Sequence, residues 1–248
     1  MNMSDAIIPA AERAAQFGMK APNPALRFFE VRALIEAALL LPALPFLAAR
    51  RRGDGQQVML LPGFMADDGA MWPLRRYLTY LGYDALPWGL GRNRGRPEAD
   101  AERVLERIAE VRREDEPIIL VGWSLGGVIA REVARRAPDV VREVITLGAP
   151  VEGGPKYTAT GERFASALNV DLDAIEHRVH DANTKGVDCP LTVIYSRGDA
   201  IVNWRAAIDR YNPQAFHRRV PGSHLGMIVN PAVWWQVASA LARSKAQP

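Results

Sequence analysis

The chain changes rhythm at Gln57. From there, short apolar runs alternate with stretches in which apolar residues recur every three or four positions, as strands alternating with amphipathic helices should. Val58-Met59-Leu60-Leu61 predicts a strand ending at Pro62-Gly63. Asp68 to Leu81 predicts a helix, with Met71, Leu74, Leu78 and Leu81 on one face and Gly82 as its stop. Tyr83 to Trp88 is a second strand, leading into the glycine-rich loop Gly89 to Gly95. Pro97 opens the next helix, where its missing N–H costs least, and Ala101, Val104, Leu105, Ile108 and Val111 follow at helical spacing. On the stretch from Glu98 to Glu114, Arg103, Arg107 and Arg113 have acidic residues three positions away, which suits a solvated face.

Pro117 to Val121 is the most apolar strand, as a central parallel strand buried on both faces must be. Leu125 to Arg136 is helical, and Val144 to Leu147, Leu191 to Tyr195 and Phe216 to Val220 supply three further strands. Asn230-Pro231 starts a final helix as N-cap and first position. The alternation predicts an α/β fold with a doubly wound, mostly parallel sheet of about six strands. Two segments break it. Residues 1–56 read as a helical or irregular extension ahead of a 57–248 domain. Residues 151–190 exceed what one crossover needs and read as a small helical cap, with helices over Gly161 to Leu168 and Asp171 to Asn183.

Composition narrows the function classes. Of 248 residues, 48% are apolar and 24% charged, a globular balance that excludes fibrous or disordered readings. The 31 basic residues barely exceed the 28 acidic ones and are scattered, with Arg50-Arg51-Arg52 the only triplet, so no nucleic-acid partner is expected. Cys189 is the single cysteine, and no Cys/His cluster has metal spacing. Met1 to Lys20 lacks the basic start and apolar core of a secretory signal, and a cytoplasmic location is expected. Val31 to Ala49 is apolar but interrupted by Glu36, Pro42 and Pro45, so it is not expected to span a membrane. Residues 28–52 are expected to pack on the domain or to contact lipid peripherally through Arg50-Arg51-Arg52.

The chemistry centres on Gly122-Trp123-Ser124-Leu125-Gly126, a G-x-S-x-G string between the most apolar strand and a helix. That context is the strand–elbow–helix turn that presents a serine at a sheet edge. A serine nucleophile needs a base, because an unassisted hydroxyl is a poor nucleophile at neutral pH. Of the four histidines, His177 and His180 fall in the cap and His217 within the last strand. His224 follows that strand at the carboxyl end of the sheet, where ligands bind in open α/β folds, and is the candidate base. Asp199, after the fifth strand, is the candidate carboxylate to orient the imidazole, with Asp188 and Asp209 as fallbacks. The candidate oxyanion donors are the backbone N–H groups of Leu125 and of Phe64, the latter in the loop after the first strand.

Read together, these residues resemble the α/β-hydrolase superfamily of lipase/esterase-like serine hydrolases, over roughly Gln57 to Leu241. The elbow Gly122 to Gly127 resembles the family's nucleophile motif, Leu61-Pro62-Gly63-Phe64 its oxyanion strand end, and Leu147-Gly148-Ala149-Pro150 the turn that precedes the lid. The order Ser124, Asp199, His224 is that family's order. Two departures stand out: Pro62 replaces the common histidine of the oxyanion turn, and no antiparallel strands are evident before Gln57.

The expected activity is hydrolysis of a small-molecule carboxylic ester through an acyl-enzyme, which requires no metal or organic cofactor. An acyltransferase with the same triad, an amidase, and a non-catalytic membrane-docking protein remain alternatives. The substrate is expected to be lipophilic, with Phe64, Met65, Trp123, Leu225 and Met227 walling the pocket. Tyr157, Phe164, Leu168, Val170 and Leu172 are the cap residues expected above it.

Overall fold

A computed structural model describes residues 8–113 and 116–244. Its centre is a sheet of six parallel strands in the order β2-β1-β3-β4-β5-β6. The strands are β1 (Gln57–Leu61), β2 (Asp84–Pro87), β3 (Ile118–Trp123), β4 (Val141–Leu147), β5 (Leu191–Tyr195) and β6 (Phe216–Arg219). The expected doubly wound α/β architecture is therefore the observed one. Strand order reverses between β1 and β3, so the crevice beyond their carboxyl ends is the place where such sheets hold ligands.

Period-2 alternation divides the core into two layers. Val58, Leu60, Ile119 and Val121 pack with α4 (Asp68–Tyr80) and α9 (Pro231–Ser244). Met59, Leu61, Ile118 and Leu120 face the other way, against α5 (Pro97–Val111) and α6 (Leu125–Arg136). Leu120 is fully buried, so truncating it to alanine removes about 2–5 kcal/mol through lost transfer and a residual cavity. On α5, Arg107 pairs with Glu110 on the solvated face, whereas the Asp100 that Arg103 pairs with is buried; Glu114 lies outside the described residues.

β4 begins three residues earlier than its apolar run predicts. Glu143 interrupts that run in sequence yet is buried in the strand, where its Oε1 accepts a hydrogen bond from Thr192 Oγ1 on β5 at 3.0 Å. Burial pushes the Glu143 carboxyl above its ordinary pKa, which makes it easier to keep there.

Between β4 and β5 the chain forms a 3-10 turn (Gly154–Tyr157), α7 (Gly161–Leu168) and α8 (Leu172–Thr184). Buried Arg131 of α6 holds this excursion down. It pairs with Asp209 and donates to Asn183 Oδ1 on α8 at 3.0 Å, while Asn183 Nδ2 donates to the Val151 carbonyl at 2.7 Å.

Ahead of β1 lie α1 (Ala10–Gln16), a 3-10 stretch (Pro24–Arg32), α2 (Ala33–Ala38) and α3 (Leu40–Ala48). α1 reaches the excursion through Arg13, which binds the buried Glu152 carboxylate with two hydrogen bonds at 2.8 and 3.2 Å. α3 rests on α9, and Tyr77 Oη donates to the Leu47 carbonyl at 3.1 Å. Among the described residues no single helix is long and apolar enough to cross a membrane.

Candidate active site

Ser124 sits between β3 and α6 with φ 53° and ψ −122°, a left-handed conformation that a serine adopts only under the constraint of its surroundings. Its neighbours show what the turn demands. A Cβ on Gly122 would lie 2.4 Å from the Gly126 carbonyl oxygen, and one on Gly126 would lie 2.2 Å from that of Leu61. Only glycine lets β3 turn back over the first turn of α6 while β1 passes alongside. Ser124 N–H donates to the Leu147 carbonyl at 2.8 Å, tying the elbow to the end of β4. The helix that follows has 12 residues and directs its N-terminal N–H groups, with their partial positive charge, toward the serine.

The loop after β1 meets this elbow. A Cβ on Gly63 would lie 3.2 Å from Ser124 Cβ. Within the loop, Met65 N–H is committed to the Asn93 carbonyl at 2.7 Å and Ala66 N–H to the Gly63 carbonyl at 3.1 Å. Asn93 escaped the sequence reading. It is fully buried, donates through Nδ2 to the Pro62 carbonyl at 2.9 Å and accepts Gly95 N–H at 3.1 Å, stitching the glycine-rich loop after β2 to the turn. A lone asparagine inside a Gly/Arg-rich loop was the available signal.

His224 and Asp199 come together from the loops after β6 and β5. His224 Nδ1 and Asp199 Oδ2 are 2.7 Å apart, and both side chains are buried. Asp199 Oδ1 accepts the N–H groups of Ile201 and Val202 at 2.9 and 2.7 Å, so the carboxylate is fixed in rotation. Trp123 Nε1 donates to the His224 carbonyl at 3.2 Å, joining the histidine loop to the strand that carries Ser124. Burial lowers the His224 pKa; the charge and hydrogen bond of Asp199, with the charge of Glu30, outweigh it and leave the imidazole above its ordinary value.

Two glutamates of the N-terminal segment complete this region, and the sequence reading used one only as a break in an apolar run. Glu30, 4% exposed, accepts Ala200 N–H at 3.0 Å and Leu225 N–H at 2.7 Å, thereby bridging the residues that follow Asp199 and His224. Glu36 accepts Ser223 N–H at 2.7 Å and an Nδ2–H of Asn230 at 2.8 Å. Between them, Arg32 Nη2 donates to the Gly198 carbonyl at 2.6 Å. Carboxylates six residues apart in an otherwise apolar helical stretch were the signal, since a buried carboxylate needs donors.

Above the elbow lies a cavity of about 530 Å³ whose lining includes Ser124, Leu125 and Phe64. Of the expected cap residues, Phe164, Leu168 and Val170 line it, and Phe164 meets Phe64 edge-to-face at 5.2 Å. Val128, Val179 and Val202 extend the apolar wall, and Arg96, Glu98 and Arg178 are its charged members.

Other expected positions lie elsewhere. Met65 has φ 61° and is exposed, because the turn that presents Phe64 N–H rotates its side chain outward. Trp123 is buried beside His224 with its indole spent on that residue's carbonyl, and Leu225 is exposed next to Glu30. Met227 is buried in the sheet core. None of these four lines the cavity. Tyr157 packs with Met19 and Ala206 and bonds Glu176, and Leu172 also lies outside the lining.

Three of the remaining titratable candidates have structural partners. Asp209 is taken by Arg131, His217 Nε2 accepts Asp209 N–H at 3.1 Å, and His180 Nδ1 contacts Tyr211 Oη at 2.9 Å. Asp188 is exposed, away from His224. Burial pushes the Cys189 thiol up to about 12, which leaves it a poor nucleophile.

A model of the alpha/beta hydrolase family matches residues 58–246. The chain belongs to that family. Curated relatives of this chain include the pimeloyl-[acyl-carrier protein] methyl ester esterase of Sodalis glossinidius, 36% identical over 108 residues. That match spans 40% of this chain and 40% of the relative. A homoserine O-acetyltransferase of Thermus thermophilus is 30% identical over 104 residues, spanning 42% of this chain and 23% of that protein. Among solved structures, the α/β-hydrolase MGS-MChE2 from a Mar Chica lagoon metagenome aligns with TM-score 0.58 at 19% identity, over 79% of this chain and 94% of that one. Carboxylesterase CesB of Bacillus subtilis aligns with TM-score 0.53 at 16% identity, over 78% and 86%. These structural likenesses speak to the fold.

Proposed function

We propose that this α/β-hydrolase cleaves carboxylic esters, with Ser124 as nucleophile, His224 as general base and acid, and Asp199 orienting the imidazole. The observation that carries the reading is the convergence of three loops at the carboxyl edge of one sheet. One presents a serine on a strained elbow that opens to a cavity, and the other two bring a buried histidine within 2.7 Å of a buried aspartate. In the reading, His224 takes the Ser124 proton as Oγ attacks the ester carbonyl, and returns it to the departing alkoxide. The imidazolium so formed is stabilised by Asp199. The tetrahedral oxyanion is received by the N–H groups of Phe64 and Leu125. Water, deprotonated by the same histidine, then releases the acid.

The acyl group occupies the apolar cavity between the elbow and α7. Its volume is in the range that encloses a small organic ligand, and its walls are mostly aliphatic and phenyl side chains, with Arg96, Glu98 and Arg178 as the charged members. Each methylene buried there contributes about 0.8 kcal/mol, about fourfold in kcat/KM when the contact persists in the transition state. A medium-length linear ester is the expected class, and the pimeloyl methyl ester in the relatives' name is one such ester.

A series of p-nitrophenyl esters from acetate to palmitate tests this reading. We expect kcat/KM to climb over the first added methylenes and then to level or fall when the cavity is full. A steady fall beyond acetate would overturn the lipophilic assignment, and full turnover in Ser124→Ala would overturn the nucleophile. Adding a primary alcohol to the assay and measuring ester exchange separates hydrolysis from acyl transfer.

A further inference from the structure

The segment before β1 has two chemically distinct faces. Glu30, Arg32 and Glu36 are turned onto the domain and hydrogen-bonded there, while Arg27 bonds the Pro24 carbonyl within the segment itself. Leu47 is buried in the core and Leu40 and Ala43 pack against it, while most of the other large side chains face outward. Of the sixteen large hydrophobic residues exposed among the described residues, ten fall within positions 26–46. Phe28 is 84% exposed, Leu34 and Leu41 73% each, and Phe46 70%. Scattered exposed hydrophobics are ordinary, but a contiguous group of this kind marks an interaction surface.

We propose that this face docks on an anionic lipid bilayer. Three observations select that occupant. First, from Ala33 to Ala49 the chain holds no hydroxyl, amide or aromatic N–H side chain, and Glu36 is its sole ionisable residue. Protein interfaces mix apolar contact with about one hydrogen bond per 100–200 Å², which the outward side chains of this stretch cannot supply; a hydrocarbon boundary demands none.

Second, the face ends at Arg50-Arg51-Arg52, and these are set among exposed aromatic rings. The Arg50 guanidinium lies 3.8 Å from the Trp235 ring centre, and that of Arg52 5.0 Å from Tyr80. Tyr80 is 53% exposed and Trp235 40%. Cations and amphipathic rings bordering an aliphatic face are the groups that suit the headgroup layer.

Third, the geometry holds the segment on a surface instead of across a membrane. The stretch Pro24–Ala38 and the helix Leu40–Ala48 meet at a 52° bend, and the inward hydrogen bonds of Glu30 and Glu36 keep both carboxylates within the domain.

The inner face of the same element grips the loops of Asp199 and His224, so the docking surface lies one helix thickness from the proposed catalytic pair. The docking itself does not depend on the hydrolytic reading.

The test is flotation of the full chain with phosphatidylcholine vesicles, with and without phosphatidylglycerol. The wild type is expected to float with the anionic vesicles and less with the neutral ones. Leu34→Glu combined with Leu41→Glu is expected to lower vesicle affinity at least tenfold while leaving turnover of a soluble short ester and the melting temperature unchanged. Arg51→Gln is expected to lower affinity for anionic vesicles about fivefold. Failure of the wild type to float, or equal flotation of the double variant, overturns the proposal. A wild-type dimer that the double variant converts to monomer, without vesicle binding, assigns the face to a second copy and also overturns it.

Discussion

Replacing Glu30 by glutamine changes one atom in a carboxylate that bridges the two halves of the proposed catalytic pair. In the native arrangement Oε1 accepts Ala200 N–H at 3.0 Å and Oε2 accepts Leu225 N–H at 2.7 Å. A glutamine keeps one acceptor, and in either amide orientation it turns a donor toward a backbone donor. One charge-assisted hydrogen bond to a buried carboxylate is lost, at about 1.5–3 kcal/mol. For a domain of this size that lowers Tm by about 3–12 °C. The same change removes a negative charge that raises the His224 pKa, so the acid limb of the kcat/KM–pH profile moves to lower pH. Loosening the loops after Asp199 and His224 misplaces the base, and kcat is expected to fall about 10- to 100-fold with KM little changed. The assay is hydrolysis of p-nitrophenyl butyrate from about pH 5 to about pH 9, at a temperature where both forms are folded. Glu30→Asp, which restores charge but not reach, should return the acid limb toward the native position without restoring kcat. A lower Tm with an unmoved limb and native kcat would show that Glu30 only holds the segment down, and the reasoning would fail.

Asp199→Asn should reduce kcat about 10⁴-fold, as loss of the orienting carboxylate does in other triads, with the fold intact by circular dichroism. In the native protein the acid limb should lie above the ordinary histidine value of about 6.5, because the Asp199 and Glu30 charges outweigh burial. The stability contributed by the protonated pair should accordingly be complete below that value and fade as pH rises through the raised pKa, readable as Tm against pH. Asp209→Ala should cost about 3–5 kcal/mol in urea unfolding, since it leaves the buried Arg131 guanidinium without its carboxylate, whereas the exposed Arg107–Glu110 pair should be nearly silent.

The elbow was legible because its signal is local: an apolar strand, a sharp turn whose glycines are dictated by steric contact, and a helix starting at the next residue. α6, α7 and β5 fall on the residues that periodicity predicts. What periodicity missed was decided by contacts between distant segments. β4 extends back over Glu143 because Thr192 on the adjoining strand supplies a donor. Met65 looked like a pocket wall by proximity to Phe64, but the turn alternates the direction of consecutive side chains, and only one of the two faces the cavity. Leu225 follows His224 in sequence and was expected inward; its N–H is held by Glu30 and its side chain remains exposed. Glu36 read as a break in an apolar run and Glu30 went unread, because their partners lie some 170 to 195 residues away.

The central claim is that Ser124 is an activated nucleophile. Incubation of the purified chain with a fluorophosphonate, followed by peptide mass mapping, tests it most directly. The account predicts one stoichiometric adduct on Ser124, formed orders of magnitude more slowly in His224→Ala. Labelling at another residue, or no adduct in folded protein, would contradict it.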